Sequence, residues 1–212
     1  MHVDGAYGAL AANAAPEKFD GLALADSLSL DPHKWLYQPL NCGCLLYRDV
    51  GSAQSTFTYT GNYAKQLSSD PVEGFAFFEE SIELSRRFRA LKVWLSLRYH
   101  GLHSFRAAIQ QNLDHAHRLA AAIEDSASLE LLGPVELSAV CFRHLLNKDA
   151  SEETCNRFNL ALLKRIVARG RVVSFERRIE GKVLPSCLHR EPPHKGKNRY
   201  RCSGSRGSRG CA

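Results

Sequence analysis

The sequence has no run of about 18 apolar residues, the minimum for a helix that crosses a bilayer, and no basic and then apolar leader. It therefore predicts neither a membrane span nor secretion. The 212 residues are enough to bury one good core or two small ones.

The part of the chain that is expected to fold has no excess of positive charge, although the formal net charge is +6. Residues 183–212 contain seven Lys or Arg and one acidic residue, Glu191, and so account for all of that excess. Residues 1–182 contain 21 residues of each sign. Without a basic surface to attract phosphates, the sequence predicts no nucleic-acid partner.

The cysteines are odd in number, seven, and they lack the paired motifs of a metal site. Cys42 and Cys44 flank Gly43, but no matching second pair follows, and Cys44 begins an apolar run. Cys141 lies in a buried-strand pattern and Cys155 in a helical one. The sequence therefore predicts reduced thiols in a cytoplasmic protein, and no metal.

Lys34 follows the end of a predicted strand. Residues 27–30 alternate Ser and Leu, and Pro32 then ends the strand because proline cannot donate to a ladder. Ligands of open α/β sheets bind just beyond such strand ends. Between His33 and Trp35, the ammonium is expected to lie in a semi-apolar pocket and to lose its proton readily, as Schiff-base chemistry requires. For this lysine alone, a surface residue after a turn is the simpler interpretation.

A second cluster begins with a short apolar strand that ends at Asp4 and continues with the small residues Gly5 and Ala6. Small residues there let a flat ligand approach the backbone. About thirty residues separate Asp4 from Lys34, enough for one helical crossover to a neighbouring parallel strand. A carboxylate and a lysine at adjacent strand ends are what pyridoxal phosphate needs. The lysine holds the aldehyde, and the carboxylate keeps the pyridine nitrogen protonated.

Three motifs give the sequence a specific resemblance. They are His2-Val3-Asp4-Gly5-Ala6-Tyr7, Asp31-Pro32-His33-Lys34-Trp35 and Ser85-Arg86-Arg87-Phe88-Arg89-Ala90-Leu91-Lys92. In this order and spacing they resemble the motifs of the pyridoxal-dependent (group II) amino-acid decarboxylases, which include the aromatic-amino-acid, glutamate and histidine decarboxylases. The resemblance covers residues 1–182, roughly the second half of a family member. It implies an α/β type I fold (aspartate-aminotransferase-like), pyridoxal 5'-phosphate as cofactor, a homodimer, and loss of carbon dioxide from an L-amino acid.

The resemblance also implies roles for five residues. Lys34 is the lysine that binds the cofactor covalently, and Asp4 is the partner of its pyridine nitrogen. Ala6 packs on the face of the ring. His33 touches the cofactor phosphate or the substrate carboxylate, or it is a structural histidine. Asp31, where relatives often have Asn, contributes near the phosphate.

One departure from the family pattern concerns the proton donor. In many relatives a tyrosine on a mobile loop is credited with returning a proton to the α-carbon. Here Phe77 or a near neighbour stands at that position, and there is no Tyr between Ala64 and Arg98. A Phe is associated in some relatives with oxidative decarboxylation-deamination to an aldehyde, which is the alternative chemistry. A third hypothesis is a non-catalytic remnant, or a pairing partner for a full-length subunit.

Residues 1–80 are predicted to be the C-terminal part of the large, cofactor-binding domain. We expect Ala9–Ala15 to be a loop or a short helix, Leu22–Leu30 to be the strand that leads to Lys34, and Cys44–Arg48 to be the next strand. Too few residues separate Lys34 from that strand for a parallel crossover, so this pair should be antiparallel. Residues 50–80 are polar and irregular, which predicts an active-site flap.

Residues 81–124 are predicted to be linking helices, at Glu79–Tyr99 and Ser104–Glu124, separated by Gly101. Apolar residues at steps of three and four form one stripe on the first helix, and similar spacing marks the second. The basic residues of the first helix lie on its other faces, where solvation or pairing with carboxylates is expected. The stripe of the first helix consists of Leu84, Phe88, Leu91, Leu95 and Tyr99.

Residues 125–182 are predicted to form a small C-terminal α+β domain. Its elements are a strand at Leu137–Arg143, a helix at Glu152–Arg169 capped by Gly170, and a strand at Arg171–Phe175. Such a unit needs a further strand and helix to cover it.

Residues 183–212 are predicted to be disordered, because prolines and Ser-Arg-Gly repeats replace any apolar period. A one-base shift re-reads this tail with Leu-Arg-Ala, Asn-His-Arg-Thr and an Ala/Val helix, as the family would have here. We therefore expect a frameshift. Met1 stands directly before a motif that lies mid-chain in the family, so we also expect a C-terminal fragment that lacks the phosphate-binding loop and does not decarboxylate alone.

Overall fold

The first sheet brings the two predicted strand ends together. The computed structural model describes residues 1–57, 77–147, 150–169, 174–179 and 182–188. Strands β1 (His2–Asp4), β2 (Ser27–Leu30) and β3 (Cys44–Tyr47) form a sheet in that order. β1 and β2 are parallel, and β2 and β3 are antiparallel. Both predicted orientations are confirmed.

The crossover between β1 and β2 contains short 3-10 helices. They span Ala9–Asn13, Pro16–Phe19 and Leu22–Leu24. The short helix allowed at Ala9–Ala15 is therefore confirmed. The strand predicted from Leu22 is wrong in its first half, because Leu22–Leu24 forms a turn and Leu24 is exposed to solvent.

Two short α-helices follow β2. Helix α1 (Pro32–Trp35) is a single turn that begins with proline, and α2 (Val50–Phe57) follows β3. The irregular stretch predicted over residues 50–80 is therefore wrong for residues 50–57, and a 3-10 helix occupies Phe77–Glu80. The rest of the predicted flap, residues 58–76, lies outside the described residues.

The long helix α3 (Arg89–Glu124) begins ten residues later than predicted. Local bonds hold the preceding segment out of the helix, since Ser81 Oγ donates to the Glu83 carbonyl at 3.2 Å and Tyr47 donates to Glu80 Oε2 at 2.7 Å. The predicted interruption at Gly101 is confirmed, because its backbone leaves the helical region at φ 75° and ψ 150°.

The apolar stripe predicted for the first helix does not face the core. All five of its residues are exposed, from 42% for Leu91 to 85% for Tyr99. Val93 and Leu97 pack inward in their place, beside the buried Phe105 and Ile109. The first core cluster contains Leu10, Ala11, Ala15, Trp35, Leu36, Phe105, Ile109 and Leu113.

The second half of α3 packs on a second core under a second sheet. That core contains Ala116, Ile123 and Val140, so the apolar face predicted for this half is confirmed. The sheet has the order β4-β5-β7-β6 with antiparallel pairs throughout, and α4 (Glu152–Ala168) packs against it. Its strands are β4 (Leu129–Leu131), β5 (Ala139–His144), β6 (Ser174–Ile179) and β7 (Lys182–Leu188).

Strand β7 corrects the prediction of a disordered tail over residues 183–188. The proline at 185 led to the prediction of an irregular segment. In the structure Pro185 pairs with Glu176 of β6, and the pairing of β7 with β5 begins only at Ser186. Because only one side of Pro185 is paired, its missing amide hydrogen interrupts no ladder with β5. Residues 189–212 and the predicted cap Gly170 lie outside the described residues.

Among the described helices, none is both long enough and apolar enough to cross a bilayer.

Candidate active site

Helix α1 places Lys34 against Asp31. Pro32 at the first helical position starts the turn, so residues three apart face the same side. Lys34 Nζ lies 2.7 Å from Asp31 Oδ2, with the two side chains 30% and 22% exposed. The expected semi-apolar pocket is therefore wrong. The Trp35 ring is fully buried instead, with its centroid 4.9 Å from that of Tyr7.

His33 is held by the backbone of the loop that follows α1. Its Nδ1 lies 2.6 Å from the carbonyl oxygen of Cys42 and 3.2 Å from the amide nitrogen of the same residue. Its Nε2 lies 3.8 Å from Asp31 Oδ2. These contacts are those of the structural histidine that the sequence left open as one alternative.

Asp4 is an exposed carboxylate with one oxygen already engaged. Oδ1 accepts hydrogen bonds from the Ala6 amide at 3.1 Å and from Ser29 Oγ at 3.0 Å. The Ala6 amide first, then the Ser29 hydroxyl, and more weakly the charges of Lys34 and His2 lower the pKa of Asp4. Both bonds that the described residues give this carboxylate reach Oδ1, which leaves Oδ2 to meet a ligand.

Gly5 is small because protein atoms surround it. A Cβ there would lie 2.5 Å from Ala9 Cβ and 2.7 Å from Leu28 Cδ1, closer than real contacts. Because Gly5 has no side chain, the backbone that follows β1 can pack directly against β2. The sequence explained this small residue by the approach of a ligand, whereas the structure explains it by packing between the strand ends.

Lys92 holds the loop between α1 and β3. Its Nζ donates to the carbonyl oxygens of Pro39 at 2.6 Å and Asn41 at 3.0 Å. The sequence predicted that the basic residues of this helix are solvated or paired with carboxylates. Arg89 fits that prediction, because its guanidinium lies 3.4 Å from Glu83 Oε2, whereas Lys92 does not. Its place in the third motif was the only signal that it belongs to the site.

The same loop has a second tether to α3. The buried Asn112 donates from Nδ2 to the hydroxyl of Tyr37 at 2.6 Å. Tyr37 adopts a left-handed backbone at φ 53°, which is uncommon for a residue with a side chain. Tyr7, next to the Asp4 turn, forms a hydrogen bond with the buried Ser138, so the segment that leads into β5 also supports the site.

The residues present fit two ends of a pyridoxal ring. Asp4 Oδ2 can accept from a protonated pyridine nitrogen, and Lys34 carries an amine that can bind an aldehyde. Ala6 is half-buried beside Asp4. The side chain of Phe77, at the expected position of the proton donor, lies outside the described part of the chain.

The chain is similar to known proteins over most of its length. The family model described as "Pyridoxal-dependent decarboxylase conserved domain" matches residues 1–145. An aromatic-L-amino-acid decarboxylase from Bacillus atrophaeus is 40% identical over 87% of this chain and 39% of its own length. A phenylacetaldehyde synthase from Petunia hybrida is 32% identical over 85% of this chain and 37% of its own.

Solved structures show the same likeness. Oryza sativa TDC with PLP and tryptamine matches with a TM-score of 0.77 and 28% identity. Catharanthus roseus tryptophan decarboxylase in complex with L-tryptophan matches with a TM-score of 0.73 and 31% identity. Each match covers 88% of this chain and 39% of the solved chain. The chain thus spans about two fifths of the length of these relatives, and the predicted type I fold is confirmed for that part. A matched family model, similar relatives and the Asp4 and Lys34 strand ends together show that the chain belongs to the pyridoxal-dependent decarboxylase family.

Proposed function

We propose that this chain carries the lysine-bearing part of a pyridoxal phosphate-dependent carboxy-lyase that acts on an L-amino acid. The observation that carries the proposal is the position of Asp4 at the end of β1 and of Lys34 just past the end of the parallel strand β2, with Asp4 Oδ2 left for a ligand. Members of this family are decarboxylases of amino acids.

Asp4, Lys34 and Asp31 have different roles at that site. Asp4 Oδ2 accepts a hydrogen bond from the pyridine nitrogen, and its lowered pKa keeps it ionised for that task. Lys34 Nζ would bind the aldehyde through its neutral amine, and Asp31 Oδ2, 2.7 Å from Nζ, would orient the lysine side chain before that. Bound pyridoxal phosphate supplies an electron sink for the pair released as carbon dioxide leaves.

In this proposal Ala6 packs on the ring face, and Asp31 and His33 act on Lys34 rather than on the phosphate. Asp31 Oδ2 contacts Nζ at 2.7 Å, and His33 is already bonded to the Cys42 backbone. These contacts support a positioning role for both residues.

An aromatic L-amino acid is the substrate class that we propose. Relatives that match more than four fifths of this chain are named for tryptophan, tyrosine, DOPA or aromatic amino acids. The proposed product is the corresponding amine. Relatives named phenylacetaldehyde synthase make the aldehyde the alternative product, and assays for amine and aldehyde separate the two.

Two further expectations belong to the same proposal. We propose a homodimer for the full-length family member, to be tested by sedimentation. We also propose a cytoplasmic location, which the free thiols of Cys42, Cys44, Cys141 and Cys155 support because reducing compartments preserve them.

The test is covalent trapping. The chain is incubated with pyridoxal phosphate, reduced with borohydride and mapped by peptide mass spectrometry. We expect label at Lys34 in preference to the exposed Lys164, and no absorbance of lysine-bound cofactor in Lys34→Ala. An unchanged spectrum in Lys34→Ala would place the attachment at another lysine.

Asp4→Asn is the companion variant. It removes the charge that keeps the pyridine nitrogen protonated, so we expect weaker cofactor binding and, in a full-length enzyme, turnover lower by orders of magnitude. Full activity in Asp4→Asn would mean that the pyridine nitrogen has another partner.

A further inference from the structure

We propose that Lys92 is a positioning residue that holds Lys34 in place by fixing the loop of residues 36–43. This inference rests on the proposed function, because it assigns Lys34 as the lysine that binds the cofactor. Lys92 itself lies on α3, in a different part of the sequence from the Lys34 turn.

The ammonium of Lys92 binds two backbone carbonyls of the loop. The carbonyl oxygens of Pro39 and Asn41 both point at Nζ, at 2.6 and 3.0 Å. Two carbonyl dipoles aimed at one point repel each other unless a cation lies between them, and hydrogen bonds to a charged donor are stronger than neutral ones. The loop conformation therefore depends on the charge of Lys92.

The same loop contacts His33 through the backbone of Cys42. Cys42, the residue after Asn41, is 3% exposed, and its carbonyl oxygen lies 2.6 Å from His33 Nδ1. The Cys42 amide lies 3.2 Å from the same nitrogen. A shift of the loop would move the Cys42 backbone away from His33 and leave its polar groups unpaired in a buried position, which costs free energy.

The Asp31 carboxylate lies beside both His33 and Lys34. Asp31 Oδ2 lies 3.8 Å from His33 Nε2 and 2.7 Å from Lys34 Nζ. Both residues belong to the single turn α1, which is too short to keep its shape without contacts outside the helix. The contacts thus run from Lys92 through the loop to His33, and from His33 through Asp31 to Lys34.

Removal of Lys92 should leave the chain folded, since the loop has another tether. Asn112 holds Tyr37 at 2.6 Å, and Leu36 lies in the first core cluster. A Lys92→Met variant therefore isolates the two carbonyl bonds. Lys92→Arg restores a cation of similar reach. Arg98→Met is the matched control, because it removes the same charge from the exposed side of the same helix, where Arg98 lies over the Trp94 ring.

The first readout is the ring ¹⁵N resonance of His33 in chains with labelled histidine. We expect Lys92→Met to shift the Nδ1 signal and to leave the His144 signal in place. Lys92→Arg should return it toward the wild-type position, and Arg98→Met should not move it. An unshifted His33 signal in Lys92→Met would overturn the proposal, whatever happens to thermal stability.

The second readout is the borohydride-trapped label at Lys34. Loss of one net charged hydrogen bond corresponds to about a tenfold drop in labelling rate for Lys92→Met. Label at Lys164 should stay constant as an internal reference. If wild-type Lys34 takes no label, the proposed function fails while the His33 signal still decides the loop contact. If label at Lys34 is equal in wild type and Lys92→Met, the positioning role is wrong and the proposed function stands.

Discussion

Asp4 lies opposite Ser29 in the parallel ladder, and the Ser29 hydroxyl donates to its carboxylate at 3.0 Å. The pKa of the Asp4 carboxylate therefore depends on a residue of the neighbouring strand, which a crossover separates from Asp4 in the sequence. The Ala6 amide and this hydroxyl lower the pKa of Asp4 below its ordinary value.

Ser29→Ala should raise the pKa of Asp4 toward the ordinary value of an aspartate, since one of the two bonds to the charged form is lost. A depressed carboxyl pKa stabilises the folded state above the unfolded pKa, and this stability is lost as the pH falls through the folded value. The variant should lose part of that acid stability and remain close to wild type at neutral pH. Carboxyl ¹³C titration measures the shift, with Ser55→Ala on α2 as control. An unchanged Asp4 titration would show that the Ser29 hydroxyl does not bind the carboxylate in solution.

Gly5→Ala should destabilise the chain by about 1–3 kcal/mol, the usual cost of an overpacked site. The new methyl group would press on Ala9 and Leu28, at 2.5 and 2.7 Å, and push β1 from β2. Label at Lys34 should fall with it, because Asp4 is the last residue of β1 and moves with the strand. Thermal unfolding measures the first effect, and trapping measures the second. Gly21→Ala, with open space around its Cβ, should leave both unchanged.

Asn159→Ala should cost about 3 kcal/mol of stability, because it removes three hydrogen bonds that a buried amide makes to the backbone. The fully buried amide accepts from His144 N at 2.8 Å and donates to the carbonyls of His144 at 3.0 Å and Cys155 at 2.9 Å. Denaturant unfolding measures the change, and the exposed Arg157→Ala on the same helix is the control. A cost below that of the control variant would mean that water replaces these bonds.

The 212-residue chain should self-associate in solution. Phe88, Trp94 and Tyr99 are 73%, 58% and 85% exposed within one stretch of the chain, and large exposed apolar side chains favour association. Light scattering and a hydrophobic dye report the association, and Phe88→Ser with Trp94→Ser should reduce both signals. A wild-type chain that stays monodisperse and binds no dye would contradict this expectation.

The part of the site that local patterns determine was predictable. An apolar strand that ends at Asp4 and another that Pro32 closes predict parallel strand ends, because a crossover of that length has few alternatives. The pairing of Asp31 with Lys34 was not predictable from the same proline. It required Pro32 to begin a helix as well as to end a strand.

The remaining differences come from tertiary contacts. Periodicity over residues 84–99 shows that an apolar face exists, but only packing decides that Val93 and Leu97 point inward. Lys92 bonds to carbonyls of a loop whose shape no pattern specifies. The strand β4 has three residues, too short for an alternation to be recognised.

The order of strands in the second sheet has a consequence for how the chain folds during synthesis. β7 lies between β5 and β6, although it is made after both of them. Until Lys182–Leu188 has left the ribosome, β6 has no strand to pair with and β5 keeps an open edge. Unpaired edges invite pairing with other chains. A pause in translation just before residue 182 would therefore prolong the time for which these strand edges are open, and a ribosome that passes this point quickly would shorten it.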